Sequence, residues 1–261
     1  MRSRFLALFP AALLTPVLAS PQTWVRINPA ALPSAAIDAT SLGGRNTISV
    51  RELSVPQKAR KSFEKGMHLL AAGNAAASVA EFQLAVAEYR FFSTAYYELG
   101  KAQLTLGLGQ EAADAFTKAI QASDGRYALP YFALSMVLCQ QNNFAEGDTV
   151  AKSGLSLEPD SLIGQFSLSW AELGLGRPAV AEKTLRDVLQ RKPDFREARL
   201  LLLEIHQRGD NLPALLEDIE AYLNVDSSSP TSAQLRRLRE SALRFPQQSG
   251  NKQPLVANAQ P

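Results

Sequence analysis

Gly107-Leu108-Gly109-Gln110-Glu111-Ala112 has the G-x-G-x-x-A spacing with which a backbone can wrap a dinucleotide pyrophosphate. That chemistry requires a strand before the glycines and a helix after them, and here the preceding apolar spacing is helical. The glycines read as a turn between two helices. His68 and His206 are the only histidines, and at roughly 10 Å per packed helix layer their separation along the chain sets them tens of ångströms apart. They share no metal or acid-base site, and neither pairs with Cys139. No H-E-x-x-H or Cys/His cluster occurs, and histidine is too sparse for a Ser/His/Asp arrangement. Cys139 is the single cysteine, so it forms no internal disulfide and is expected as a small core residue. An enzyme is not expected, nor a cofactor or a metal.

The chain of 261 residues carries 27 basic and 25 acidic side chains, with 46% hydrophobic residues. Two of the bases are Arg2 and Arg4, and without them the charges balance. That balance argues against nucleic-acid binding, which needs a basic face to displace counterions. Arg2 and Arg4 precede the apolar stretch Phe5 to Leu18, and Val17-Leu18-Ala19 resembles a small-residue cleavage site. Residues 1–19 are therefore expected to be a signal peptide, with export to the periplasm or the medium. A retained membrane anchor is the alternative, disfavoured by Pro10, Pro16 and the short length. No later segment is apolar enough to span a membrane.

The elements that carry these residues follow from spacing. Residues 20–55, punctuated by Pro21, Pro29, Pro33 and Gly43-Gly44, read as a flexible linker or extended arm. From Ala59 a period of about 34 residues appears. Gly66, Gly73, Ser78, Phe82 and Ala85 align with Gly100, Gly107, Ala112, Phe116 and Ala119. Further units start at Ala128, after one inserted residue, and at Leu162. The units run near 59–92, 93–126, 128–161, 162–195 and 196–229, the last degenerate because Leu203 and Leu215 replace the small residues. Each unit reads as two helices turning near Gly73, Gly107, Asn142 or Gly176, with small side chains where the helices cross and Phe82, Phe116 and Leu185 filling the gaps. Pro159 and Pro193 end second helices. Residues 230–245 suit a polar-backed capping helix, and residues 246–261, rich in Gln, Asn and Pro, a disordered tail.

Tyr96-x-x-Leu99-Gly100 followed by Ala112-x-x-x-Phe116-x-x-Ala119 resembles the tetratricopeptide repeat. The resemblance implies an all-α fold: a right-handed superhelix, or α-solenoid, of about five helix pairs plus a C-terminal capping helix. It also implies a concave face lined by the first helices. By repeat phase one position on that face holds Phe63, Tyr97, Phe132, Phe166 and Leu200, and its neighbour holds Met67, Lys101, Met136, Trp170 and Glu204. Phe63, Met67, Tyr97, Lys101, Phe132, Met136, Phe166 and Trp170 are thus expected to line a largely apolar peptide-binding groove. The partner is a protein or peptide, either a helix or an extended apolar segment. The linker is a second occupant for the same groove, through Trp24, Val25, Ile27 and Leu32. The function implied is a non-enzymatic scaffold acting outside the cytoplasm. A competing reading is a structural or assembly subunit of a cell-envelope complex that binds through its outer face or through the arginines near Arg236 and Arg237.

Overall fold

A computed structural model describes residues 54–244. The signal peptide, the tail and all but the last two residues of the linker expected from the sequence lie outside the described residues; of those two, Val55 is buried with Ala59, Ala85 and Phe92. Among the described residues there are eleven helices and no strand: α1 Gln57–Ala71, α2 Ala75–Glu88, α3 Ser93–Thr105, α4 Gly109–Ala122, α5 Ala128–Gln140, α6 Phe144–Leu157, α7 Leu162–Gly174, α8 Pro178–Arg191, α9 Arg196–Arg208, α10 Leu212–Val225 and α11 Pro230–Arg244. They stack as five consecutive hairpins closed by α11, a solenoid.

One backbone position makes every hairpin. Gly73, Gly107, Asn142, Gly176 and Asp210 occupy the same place in successive units, and all have positive φ, from 51° at Asp210 to 79° at Gly73. Glycine adopts this left-handed conformation without penalty, and Asn and Asp are the side chains that tolerate it best. Gly107 is thus a turn residue with a helix on either side, and the apparent nucleotide loop is a hairpin. The inserted residue between the second and third units falls in the link from α4 to α5, where Asp124 and Gly125 are both left-handed.

Within each hairpin the two helices cross at one recurring pair of buried positions. In the first two units glycine stands opposite phenylalanine: a Cβ built on Gly66 would lie 2.7 Å from the Phe82 ring, and one on Gly100 2.5 Å from Phe116. In the third and fourth units the pair becomes Ser135 with Ala151 and Ser169 with Leu185, all buried. In the third, the Ser135 hydroxyl donates to the Gly147 carbonyl across the hairpin at 2.8 Å. In the fifth, Leu203 meets Ile219, and these two join Leu215, Tyr222, Leu235 and Leu238 in a core of their own. The main core runs from Tyr97 on α3 to Ile205 on α9. The divergent last unit is therefore packed on a separate apolar cluster, with α9 shared between the two.

The outer face of α1 differs from the equivalent faces of later first helices. Ala95, Leu99 and Ala102 of α3 are buried against α2. Their counterparts on α1 are Lys61, Lys65 and His68, all exposed. Lys65 reaches Glu81 of α2 at 2.6 Å. That face is solvated rather than packed.

Candidate partner-binding surface

The first of the two concave positions is mostly interior. Phe63, Tyr97 and Phe166 each stack on the aromatic residue that precedes the next first helix: Phe63 on Phe92 at 4.9 Å, Tyr97 on Tyr127 at 5.5 Å, and Phe166 on Phe195 at 5.3 Å. Such pairs add to the burial of the rings themselves. Phe63 and Leu200, in the two end units, are half-buried. Burial raises the Tyr97 hydroxyl well above the ordinary tyrosine pKa, with Tyr127 and Glu98 adding to the effect.

The third unit breaks the pattern, because Ser161 stands where the others have an aromatic residue. Phe132 instead inserts its ring between Gly154 of α6 and Gly164 of α7. A Cβ on either glycine would lie 2.5 Å or 2.6 Å from the ring. This lets α7 lie directly against α5, whereas α1 and α3 barely touch, as do α7 and α9. The concave side is consequently shut in the middle of the stack: Met136 is 4% exposed and Trp170 8%, and Leu129 and Ile163 are buried beside them. Tyr97, Phe132, Met136, Phe166 and Trp170, expected along an apolar groove floor, are buried side chains of the main core.

Two of the eight residues keep solvent access on the second position. Met67 on α1 is 38% exposed. Lys101 on α3 is half-buried, holds Glu98 one turn earlier at 2.9 Å and lies 5.3 Å from the centre of the Tyr97 ring, a cation-π distance. Its charge is thus compensated within its own helix. Leu104, one turn further along α3, is partly exposed. On the last unit Glu204 pairs with Arg208.

Two polar clusters lie elsewhere. Asp148 on α6 and Glu172 on α7 are both buried, flanked by Lys152 and Arg177. Burial first, and Asp148 second, raise the Glu172 carboxyl above its ordinary range. His206 is buried between carboxylates of two other helices. Its Nδ1 is 2.5 Å from Asp218 Oδ2 on α10, and its Nε2 is 3.2 Å from Glu182 Oε1 on α8. No motif in the sequence joins the three residues. His68 is exposed. Cys139 is buried against Gly147, and burial pushes its thiol up to about 12, so it is unreactive. Among the described residues no group of three or more His, Cys, Asp or Glu is placed to hold a metal ion, and no helix is long and apolar enough to cross a membrane.

Two arginines of α11 have partners outside the helix. Arg236 donates to the Ser227 carbonyl, and Arg239 pairs with Glu220 of α10 at 2.5 Å. Arg237 is exposed. The helix is held at its start by Asp226, which accepts from the Ser228 and Ser229 amides at 3.2 and 3.1 Å and pairs with Arg196 at 3.3 Å.

Consecutive hairpins with a left-handed residue at each turn and one recurring pair of buried crossing positions inside each hairpin define a helical-repeat solenoid. The chain belongs to the tetratricopeptide repeat family, whose sequence model matches residues 63–127 and 166–232, about half its length. The stretch between the matches is the α5–α6 pair and the start of α7, where Asn142, Ala151 and Gly154 depart from the residues of the other units. No curated protein matches the chain by sequence. Among solved structures it is similar to a thermophilic TPR protein of Thermus thermophilus, with 24% identity over 71% of this chain and 99% of that one, at a TM-score of 0.58. PilW, a type IV pilus biogenesis factor, gives 15% identity, 73% and 91% coverage and a TM-score of 0.62. YrrB, a TPR protein with an unusual peptide-binding site, gives 16%, 73% and 95%, and 0.52. At these identities the likeness is one of fold. Tetratricopeptide arrays are protein-interaction scaffolds and typically not enzymes.

Proposed function

We propose that this chain is an exported scaffold that holds a protein or peptide partner on the open, N-terminal half of its concave side. The observation that carries the reading is the contrast along that side. Where α5 meets α7 the face is filled by its own side chains, whereas α1 and α3 stand apart, with Met67 exposed and Leu104 and Lys101 partly so. An adaptable thioether beside a leucine and an already compensated lysine suits a partner segment with an apolar face and little net charge. The peptide-binding site of YrrB is a precedent for such use of the fold.

A photo-crosslinking residue at position 67 should capture the partner, and one at Leu84, which is 57% exposed on α2 away from the first helices, should not. Capture from position 84 alone would favour the competing reading, a subunit that binds by its outer face. Export rests on Arg2, Arg4 and the apolar run to Leu18. A chain recovered from the cell envelope should begin at Ser20, and a full-length chain in the cytoplasmic fraction would oppose this.

A further inference from the structure

Val55 fixes the place from which the chain upstream of α1 departs. It is buried with Ala59, Ala85, Phe92 and Ala95, and Phe63 packs against the same cluster. Phe63 and Phe92 are stacked where α1 and α3 begin to stand apart, so the upstream segment is tethered at the foot of the open concave half. From there Phe63, Met67 and Leu70 follow at i, i+4 and i+7, one stripe of α1. Tyr97, Lys101 and Leu104 form the equivalent stripe of α3. Met67 is exposed, and Leu70 and Leu104 are partly so. The rise from Phe63 to Leu70 is about 10 Å.

The sequence next to this tether fits the space. Thr47 to Leu53 reads Thr-Ile-Ser-Val-Arg-Glu-Leu, in which Ile48 and Val50 share one side of an extended segment and Arg51 and Glu52 cancel in charge. Lys101 already holds Glu98 at 2.9 Å, so the surface it would meet is apolar with its charge closed. At about 3.3 Å per extended residue, Val50 comes no further than roughly 17 Å from Val55 and Ile48 no further than roughly 23 Å. Both reaches cover the stripe, and neither allows the segment to stray far from it. A segment on so short a tether meets its site at an effective concentration of about millimolar. Trp24, Val25, Ile27 and Leu32 are also apolar, but Leu32 stands 23 residues before Val55 and its tether imposes no such nearness.

We infer that Thr47 to Leu53 lies along the space between α1 and α3 of its own chain, with Ile48 and Val50 against Met67, Leu70 and Leu104, as a resident segment that an outside partner must displace. The inference rests on the reading of this half as the partner surface and names what guards it. Partner affinity is then lowered by the fraction of chains whose groove is occupied.

A photo-crosslinking residue at position 67 of the purified full chain, with no other protein present, should form an adduct within one chain, and peptide mass spectrometry should place that adduct in residues 47–53. The same residue at position 84 should form none. An adduct between chains, an adduct to residues 22–38 or to any other segment, or no adduct from position 67 overturns the inference. Ile48→Asp combined with Val50→Asp lies upstream of the helical array and should abolish the adduct. A fluorescent peptide with the sequence of residues 45–54 should bind that full-length variant about tenfold more tightly than the wild type, the factor expected when the resident segment fills the groove about nine-tenths of the time. Equal binding to the two proteins, or no binding to the variant at millimolar peptide, also overturns it. Neither measurement involves an outside partner. Capture from the cell envelope at position 67 without an internal adduct therefore sinks the resident segment and leaves the partner surface standing, whereas an internal adduct with no capture by wild type or variant sinks the partner reading alone.

Discussion

Gly100 faces Phe116 so closely that a methyl group in place of its hydrogen would stand 2.5 Å from the ring. Two helices of one hairpin touch because one residue has no side chain and the other has a large one. The same two positions hold Gly66 with Phe82, Ser135 with Ala151 and Ser169 with Leu185 in three other units, each pair buried.

Gly100→Ala should therefore destabilise the array despite alanine's better helix propensity. Overpacking costs about 1–3 kcal/mol, against roughly 1 kcal/mol gained from propensity. Phe116→Leu makes room for the added methyl, so the double variant should be more stable than the sum of the two single losses. Urea unfolding of the four proteins measures this coupling, and strict additivity would show that the two residues are independent.

Trp170→Ala and Met67→Asp should part company. Trp170 is core, and its truncation should cost about 3–5 kcal/mol, lowering the urea midpoint. Met67 is exposed, so its replacement should leave the midpoint within about 0.5 kcal/mol while abolishing capture of the partner. Retained capture by Met67→Asp would move the binding face elsewhere.

Cys139 should react with a thiol reagent only after unfolding. Its thiol is pushed up to about 12, first by burial. At neutral pH the thiolate is scarce and screened, so labelling in native buffer should be slower by orders of magnitude than in denaturant. Prompt native labelling would mean that α5 and α6 open readily.

Asp226 sets an acid limit on the capping helix. Burial by itself would raise its carboxyl, but bonds from Ser229, from the Ser228 amide and from Arg196 hold it at about 2. A carboxyl depressed in the folded state stabilises above its unfolded pKa, and this contribution is lost as pH falls from about 4 towards 2. Fluorescence of a probe on α11 should report release in that interval, and Asp226→Asn should remove the step.

The hairpins were legible in the sequence because their determinants are local. Gly73, Gly107, Asn142 and Gly176 mark turns through their own backbone preference, and the pairing of small with large residues repeats at a fixed interval. The openness of the concave side was not legible, since repeat phase says which way a residue points but not how near the next first helix lies. That distance depends on Ser161 and Gly164, which stand at other repeat positions and act through Phe132. The environment of His206 escaped for a related reason: its partners come from the helix before and the helix after, and a lone histidine carries no mark of them.

The three solvated residues on the outer face of α1 have a consequence for how such arrays grow. Where α3 offers Ala95, Leu99 and Ala102 to a neighbour, α1 offers Lys61, Lys65 and His68. Charged and polar side chains at these three positions make that face a poor seat for a further hairpin. Three substitutions, to alanine, leucine and alanine, would turn a terminus into a seat for a grafted repeat.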